Sequence, residues 1–448
     1  MLKSQNKKKG FTIVELVIVI AVIAVLSAVL IPTFVSLVKK ANESSDIQAV
    51  RAMNVALTAD GVVEPTSLVE LFDVLEEAGI EAEDYKPLYK GRYFYWDKGL
   101  NNVLYVDSDK TTILFPKKAK STGKWYTLDG SFDASSATIV VPTTAPAANS
   151  TTTLQVASAA DFVKAAEYVN KFESTYANTN VKTVEIALSA DIDLQGADVN
   201  FMSKSASKLD VVFKSDVAGT PRKISGLFIS DKHATTGTDS NGFTRTGYGH
   251  SLFYVINNLT VSDITIEDSA IGGFDASQSG FFAAQVYGTA KFTNVTVKNS
   301  EVQGQKKVGV LCGYTHGKLE FDNVTIENCT VTTAQGEAGL IAGVMTTTRI
   351  ASTENVVTGT VNIVNSKVEV ADFATVKEIV DGGKTIKVVQ FVEDGVTEWK
   401  VAYGTYGLCG TATNSSNVTH EGVTGLGRLY DVIDTATDFA NLKGSKAA

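Results

Sequence analysis

One stretch constrains this chain more than any other. From Phe11 to Ile31 run 21 residues with a single charge, Glu15. Lys3, Lys7, Lys8, Lys9 and Gly10 precede it, and Pro32 follows. As a helix rising 1.5 Å per residue, the run reaches about 30 Å, the thickness of a bilayer core. A cleavable secretory signal would have a shorter apolar core followed by a small-x-small site. Here the small residue comes before the apolar run, so that reading fails. A plain anchor, with the lysines inside and the rest outside, satisfies the length and the charge bias. It gives no reason for Glu15. An ionised carboxylate in lipid costs about 2.5–3.5 kcal/mol, so such a residue is normally paired or functional.

The residues Gly10-Phe11-Thr12-Ile13-Val14-Glu15-Leu16 resemble the processing site of type IV prepilins and the related pseudopilins. The resemblance implies that a membrane prepilin peptidase cuts after Gly10 on the cytoplasmic side. It implies N-methylation of Phe11 and a need for Glu15 in filament assembly. Pro32 matches the family's helix-loosening proline. The likeness is close over residues 7–16, extends to about residue 58, and says little about residues 131–448. The physical chemistry agrees with it. After cleavage Phe11 carries an amine, and Glu15 lies about one helical turn away. In a bundle of subunits, Glu15 of one chain can meet the amine of its neighbour and relieve two buried charges at once. A lone anchor with a protonated Glu15 is the competing reading.

The chain has 448 residues, which calls for two or three domains. Its formal charge is −9, and loss of the four leader lysines would bring it to about −13. An acidic chain argues against nucleic acid as a general partner. Cys312, Cys329 and Cys409 make no disulfide framework and no zinc-ligand spacing. They read as small buried apolar residues.

Past Pro32, Leu37 and then Ile47, Val50, Met53 and Leu57 continue a helical stripe. One long helix is expected over residues 11–60, its first half in the membrane or filament core and its second half against a head. Pro32 would loosen it and Gly61 would stop it. Residues 61–130 read as that head. Ser67-Leu68-Val69-Glu70 is a capping box opening a helix with Leu68, Leu71, Phe72 and Leu75 on its apolar face. Tyr93–Trp96, Val103–Val106, Thr112–Phe115 and Trp125-Tyr126 read as short strands. A helix spine carrying an antiparallel sheet is what the resemblance implies. The aromatic cluster at residues 93–96 is read as core rather than as a binding platform.

Residues 131–153 are rich in Ser, Thr, Ala and Pro and read as an extended linker. Residues 154–448 contain repeats. Val261–Ile271, Phe292–Val302, Phe321–Val331 and Val361–Val368 follow one pattern at spacings of 31, 29 and about 37 residues. Each alternates apolar and polar residues and then carries an Asn/Asp–Ser/Cys pair. Small-residue apolar strands such as Val308–Gly313 lie between copies. No helix separates the strands, and the period is too irregular for a propeller blade. A parallel β-helix fits, because each coil buries its inward face only when neighbours stack on it. Asn299, Asn328 and Asn365 would form a side-chain ladder. Phe162, Ala165, Ala166 and Val169 mark an amphipathic cap helix, and Ile433–Leu442 reads as a closing one. The series resembles right-handed β-helix adhesins and carbohydrate-active proteins.

The expected architecture is therefore a leader at 1–10, a helix at 11–60 and a head at 61–130. A linker at 131–153 and a β-helix display domain at 154–448 follow. The fold class is an α+β pilin-like module followed by an all-β right-handed parallel β-helix. The expected function is structural and adhesive: a minor or tip pilin subunit, spanning the membrane once before it joins a surface filament. Its partners would be other pilin subunits, the prepilin peptidase and a carbohydrate or host-surface ligand. No cofactor, metal or catalytic residue is expected. Two alternatives stay open: a pseudopilin of a secretion or DNA-uptake machine, and a membrane-tethered β-helix polysaccharide lyase or hydrolase. For the latter, Asp191, Asp193, Glu267, Asp268 and Asp322 are the acidic candidates, with a solvated-turn role as the plainer reading. His233, His250, His316 and His420 are scattered.

Overall fold

A computed structural model describes residues 13–59, 61–117, 119, 124–172, 181–206, 208–230, 250–274, 276–345, 357–372, 374–381, 384–393, 396–401, 409–412 and 423–424. The apolar run and the stripe that follows it form one helix, α1 (Ile13–Leu57), about 67 Å long at 1.5 Å per residue. Pro32 lies inside it without ending it. From Ile13 to about residue 41 nearly all of its described side chains are uncovered. Beyond that point Val50, Met53 and Leu57 are buried and Ile47 is partly buried against the head. Gly61, at φ +90°, stands in the left-handed region just past the helix end.

The head is small. Helix α2 (Leu68–Glu77) buries Leu68, Val69, Leu71, Phe72 and Leu75. The Ser67 hydroxyl accepts from the Glu70 amide at 3.2 Å. The Glu70 carboxylate bonds Thr66, through the amide at 2.6 Å and the hydroxyl at 2.8 Å, one residue before the position a capping box requires. Strands β1 (Tyr93–Asp97), β2 (Asn102–Val106), β3 (Ile113–Phe115) and β4 (Trp125–Thr127) make an antiparallel sheet in the order β3-β2-β1-β4. Alternation along β1 sends Phe94 and Trp96 into the core shared with α1 and α2. Tyr95 joins Leu104 and Val106 on the opposite face. The aromatic cluster is thus core on both faces.

The expected coils stack as a parallel β-solenoid of about five turns. Its longest parallel column begins with β5 (Thr151–Val156) and passes through strands at Lys182–Leu188, Leu209–Ser215, Leu259–Glu267, Ala290–Lys298, Leu319–Glu327 and Val357–Val364. Register pairs Val261 with Phe292, Phe292 with Phe321 and Val324 with Val361, the offsets of the sequence repeats. Three shorter columns complete the turns, one through Ala270–Gly272, Glu301–Gly304 and Thr330–Thr333, a second through Phe253–Ile256, Ala283–Val286 and Cys312–Thr315, and a third through Gln278–Ser279, Lys307–Gly309 and Ala338–Gly339. Inward side chains form one continuous core in which Phe292 stacks on Phe321 at 5.9 Å. An antiparallel sheet of Val376–Asp381, Lys384–Glu393 and Val396–Val401 stands apart from the columns. The proposed closing helix at Ile433–Leu442 lies outside the described residues.

Polar ladders bind the coils. Asp268, Asn299, Asn328 and Asn365 all take φ near +50°, a conformation Asn and Asp tolerate best. Asn328 donates to the Asn299 side chain at 3.1 Å. The residues just after them, Ser269, Ser300, Cys329 and Ser366, form a buried line of three hydroxyls and one thiol. Ser300 accepts from the Ser269 amide at 3.1 Å, and Ser366 accepts from the Cys329 amide at 3.0 Å. A second ladder runs through the long strands, where Asn294 donates to Asp263 at 2.6 Å and Asn323 to Asn294 at 2.9 Å. These residues also have positive φ and interrupt the strand register.

The segment read as a linker is tied down along its length. Helix α3 (Ala159–Lys171) caps the solenoid with Phe162, Ala165, Ala166 and Val169 buried. Its Asp161 accepts from the Thr138 and Ile139 amides, both at 2.7 Å. Tyr168 donates to the Thr144 carbonyl at 3.0 Å, while Phe132, Ile139 and Val141 pack on the solenoid core. The segment's composition predicts an extended linker, and these contacts show how the extended strip is held. The buried carboxylate that serves two backbone donors and the apolar contacts hold the strip together. The first solenoid strand accordingly starts at Thr151, inside the segment.

Candidate functional site

Of the four residues singled out for processing and assembly, Gly10 and Phe11 lie outside the described residues. Glu15 sits in the first turn of α1, and Pro32 lies about 25 Å further along it. Around them the helix surface is apolar and open: Ile13 is 82% exposed and Phe34 68%. A continuous apolar cylinder of this length does not persist in water and needs lipid or other helices around it. It is the only helix among the described residues long and apolar enough to cross a membrane.

The lower end of α1 is fixed by a polar clamp. Asp46 is 1% exposed. Its carboxylate accepts from the Leu88 amide at 2.7 Å, the Tyr89 amide at 3.1 Å and the Tyr105 hydroxyl at 2.8 Å. Arg92 bonds the same Tyr105 oxygen and pairs with Glu43 at 2.9 Å. About two turns on, Asn54 both donates to and accepts from the backbone of Val103, at 2.9 and 2.6 Å. The exposed helix is therefore held to the sheet by directional bonds as well as by packing.

The head in turn lies directly on the solenoid. Phe72 of α2 stacks on Phe228, 5.3 Å apart and 17° from parallel. The Thr127 amide donates to the Gln195 carbonyl at 2.7 Å, and the Asp198 amide to the Gly130 carbonyl at 2.9 Å. Gly196 permits this approach: a side chain there would meet the Thr127 carbonyl at 3.1 Å and Leu68 at 3.2 Å.

The acidic candidates from the sequence come partly together. Asp191, Asp193, Glu267 and Asp268 share a groove of about 260 Å³ with Lys124, Lys223, Trp125 and Tyr126. Lysines neutralise it. Glu267 pairs with Lys223 at 2.8 Å and Lys298 at 3.1 Å, and Asp268 with Lys124 at 3.7 Å. Burial opposes the charge on Glu267, yet the two lysines hold its carboxyl below the usual range. Burial pushes Asp193 up against the pull of the Gln195 amide and the lysines. Asp322 is exposed on the long strand column, outside this groove. Among the described residues no group of three His, Cys, Asp or Glu side chains is placed to hold a metal ion.

Cys312 and Cys329 are buried free thiols. Burial pushes Cys312 and Cys329 up to about 12. Cys312 pairs in register with Ala342, and Ala342 with Cys409. The two cysteines are thus two strand spacings apart, about 9.6 Å, beyond disulfide reach. His250 is buried, and His316 stacks on Tyr287 at 4.9 Å. His233 and His420 lie outside the described residues.

Against this geometry, the family model for the prokaryotic N-terminal methylation motif matches residues 5–31. The chain carries that motif. It implies processing by a prepilin peptidase and assembly with other pilins. With the apolar helix, it fits membrane anchoring before assembly into a filament. Neither the curated proteins nor the solved structures contain a match to the chain.

Proposed function

We propose that the protein is a type IV pilin-like subunit, cleaved after Gly10 and methylated at Phe11, that displays its β-solenoid on a surface filament as a minor or tip subunit for attachment. The observation that carries this reading is the joint between parts. About thirty residues of α1 stand open to neighbours, and its last third is locked through Asp46 and Asn54 to a head that packs on the solenoid. A helix spine bearing a small antiparallel sheet is the arrangement of a pilin head. Glu15 meets the Phe11 amine of the adjacent subunit. The solenoid does no chemistry and meets a carbohydrate or other surface ligand.

The deciding measurement is the mass of the amino-terminal peptide from protein sheared off the cell surface. A peptide beginning at methylated Phe11 supports the reading; an intact Met1 peptide overturns it. Gly10→Ala should leave the leader attached, and Glu15→Ala should be processed but absent from sheared filaments. Recovery of methylated protein only from membranes would favour a pseudopilin. The carboxylate groove favours one further reading, a tethered polysaccharide lyase or hydrolase. Release of reducing or unsaturated ends from acidic polysaccharide by the full chain, lost in Asp193→Asn, would establish it.

A further inference from the structure

Where the head leans on the solenoid, a second cleft opens, of about 430 Å³. From the head it is lined by Thr66, Ser67 and Glu70 at the start of α2, by Lys98 of the β1–β2 turn, and by Trp96 and Tyr126. From the solenoid it takes the ladder turns: Asp268, Asn299, Asn328 and, innermost, Glu301. The two asparagines are exposed at its mouth.

Glu301 is the anomaly. Its Oε1 is buried and has no hydrogen-bond partner among the described residues. Ser67 donates a hydrogen bond to the carboxylate, while Glu70 and Asp73 of α2 repel it; Lys367 of the solenoid attracts it weakly. A glutamine would fit and would lack the charge. A buried acid with an unused oxygen lowers the stability of the joint, the pattern of a group kept for a ligand. The lining charges say which ligand. Three carboxylates, Glu70, Asp268 and Glu301, face one lysine, Lys98. Asp268 already has Lys124 at 3.7 Å, and Glu70 already bonds Thr66. Glu301 is left as the acceptor. The carboxylates are too dispersed to share a metal ion, whereas an N–H donor on a polar body of sugar or side-chain size fits the volume.

We infer that this cleft binds an organic cation, an ammonium or guanidinium group on a small polar body, with Glu301 as its anionic anchor and Asn299 and Asn328 at the rim. The inference does not depend on filament assembly. Without ligand, burial pushes the Glu301 carboxyl up to about 7. The cation takes the ionised form, so binding releases a proton near neutral pH and weakens on acidification.

Full-length protein in detergent micelles tests this by saturation-transfer NMR and calorimetry at pH 7. The probes are glucosamine and Nα-acetyl-lysine amide, with uncharged N-acetylglucosamine as the control. The expected result is binding of at least one cationic probe, none of the control, and a loss of about tenfold at pH 5.5. Stronger glucosamine binding identifies an amino sugar as the source; stronger binding of the lysine derivative identifies a peptide side chain. Glu301→Gln should lose binding about tenfold or more while its thermal transition stays at or above that of the parent. Failure of both cations to bind, equal binding of N-acetylglucosamine, or undiminished binding to a folded Glu301→Gln would each overturn the inference.

Discussion

Replacing Asp46 by alanine should free α1 from the head. The carboxylate serves three donors, the Leu88 and Tyr89 amides and the Tyr105 hydroxyl, at 2.7–3.1 Å in a fully enclosed position. Each buried donor left without an acceptor costs about 1–3 kcal/mol, and the three share one site, so about 3–6 kcal/mol is expected in all. That is a large part of the 5–15 kcal/mol that typically holds a domain together. Arg92, which bridges Glu43 and Tyr105, would also lose its anchored partner. Asp46→Asn should cost about half as much, since its amide oxygen still accepts while its NH₂ opposes one donor. Urea denaturation of the full chain gives the size of the change. Amide exchange at Leu88 and Tyr89 shows its place, and protection there should fall while solenoid amides stay protected. A loss below about 1 kcal/mol in Asp46→Ala, or unchanged exchange at those two amides, would refute the clamp as the element that fixes the helix.

Three further outcomes follow from the joint and the coils. Phe228→Ala removes the ring stacked on Phe72 and should cost about 3–5 kcal/mol; calorimetry should then show the head melting apart from the solenoid, and a single unshifted transition would count against direct docking. Gly359 has φ +91°, and a Cβ there would run into the Phe321 carbonyl. Gly359→Ala should therefore destabilise the solenoid by about 3 kcal/mol or more, read from its thermal midpoint, and an unchanged midpoint would contradict that packing. Glu301 is raised from 4.5 to about 7 by burial, so its folded form prefers the proton. Its favourable contribution is complete below pH 4.5 and is lost as pH rises through 7, amounting to about 3 kcal/mol at most. Glu301→Gln should flatten this dependence and raise stability at pH 8, and melts at pH 5 and pH 8 check both.

The parts legible in the sequence are those written locally. Alternation within Phe292–Lys298 or Phe321–Glu327 depends on residues a few positions apart, so offsets between copies already give the register of the coils. The α2 and α3 faces were equally visible, because their apolar positions recur at helical spacing. The Asn294–Asn323 ladder was harder. A polar residue inside a strand reads as a break in alternation, and its signal is its recurrence at one position in successive repeats. What holds the strip at residues 131–153 was not legible, because composition counts apolar area and misses a single buried acid such as Asp161. The cleft around Glu301 was not legible at all. Its walls come from α2, a hairpin turn and several coils, and only packing brings residues 67, 98 and 301 together.

The head touches the solenoid along its flank rather than at an end. Contacts at Gln195, Phe228 and Asp268, with Ser67 facing Glu301, fall on successive coils. This sets how the molecule carries a mechanical load. Were α1 joined to a terminal coil, tension would peel the solenoid one rung at a time, opening a few hydrogen bonds per step. A flank attachment spreads the pull over several rungs at once, and each must yield together with its neighbours. A tether of this kind resists traction collectively, with the clamp at Asp46 in series with the coils.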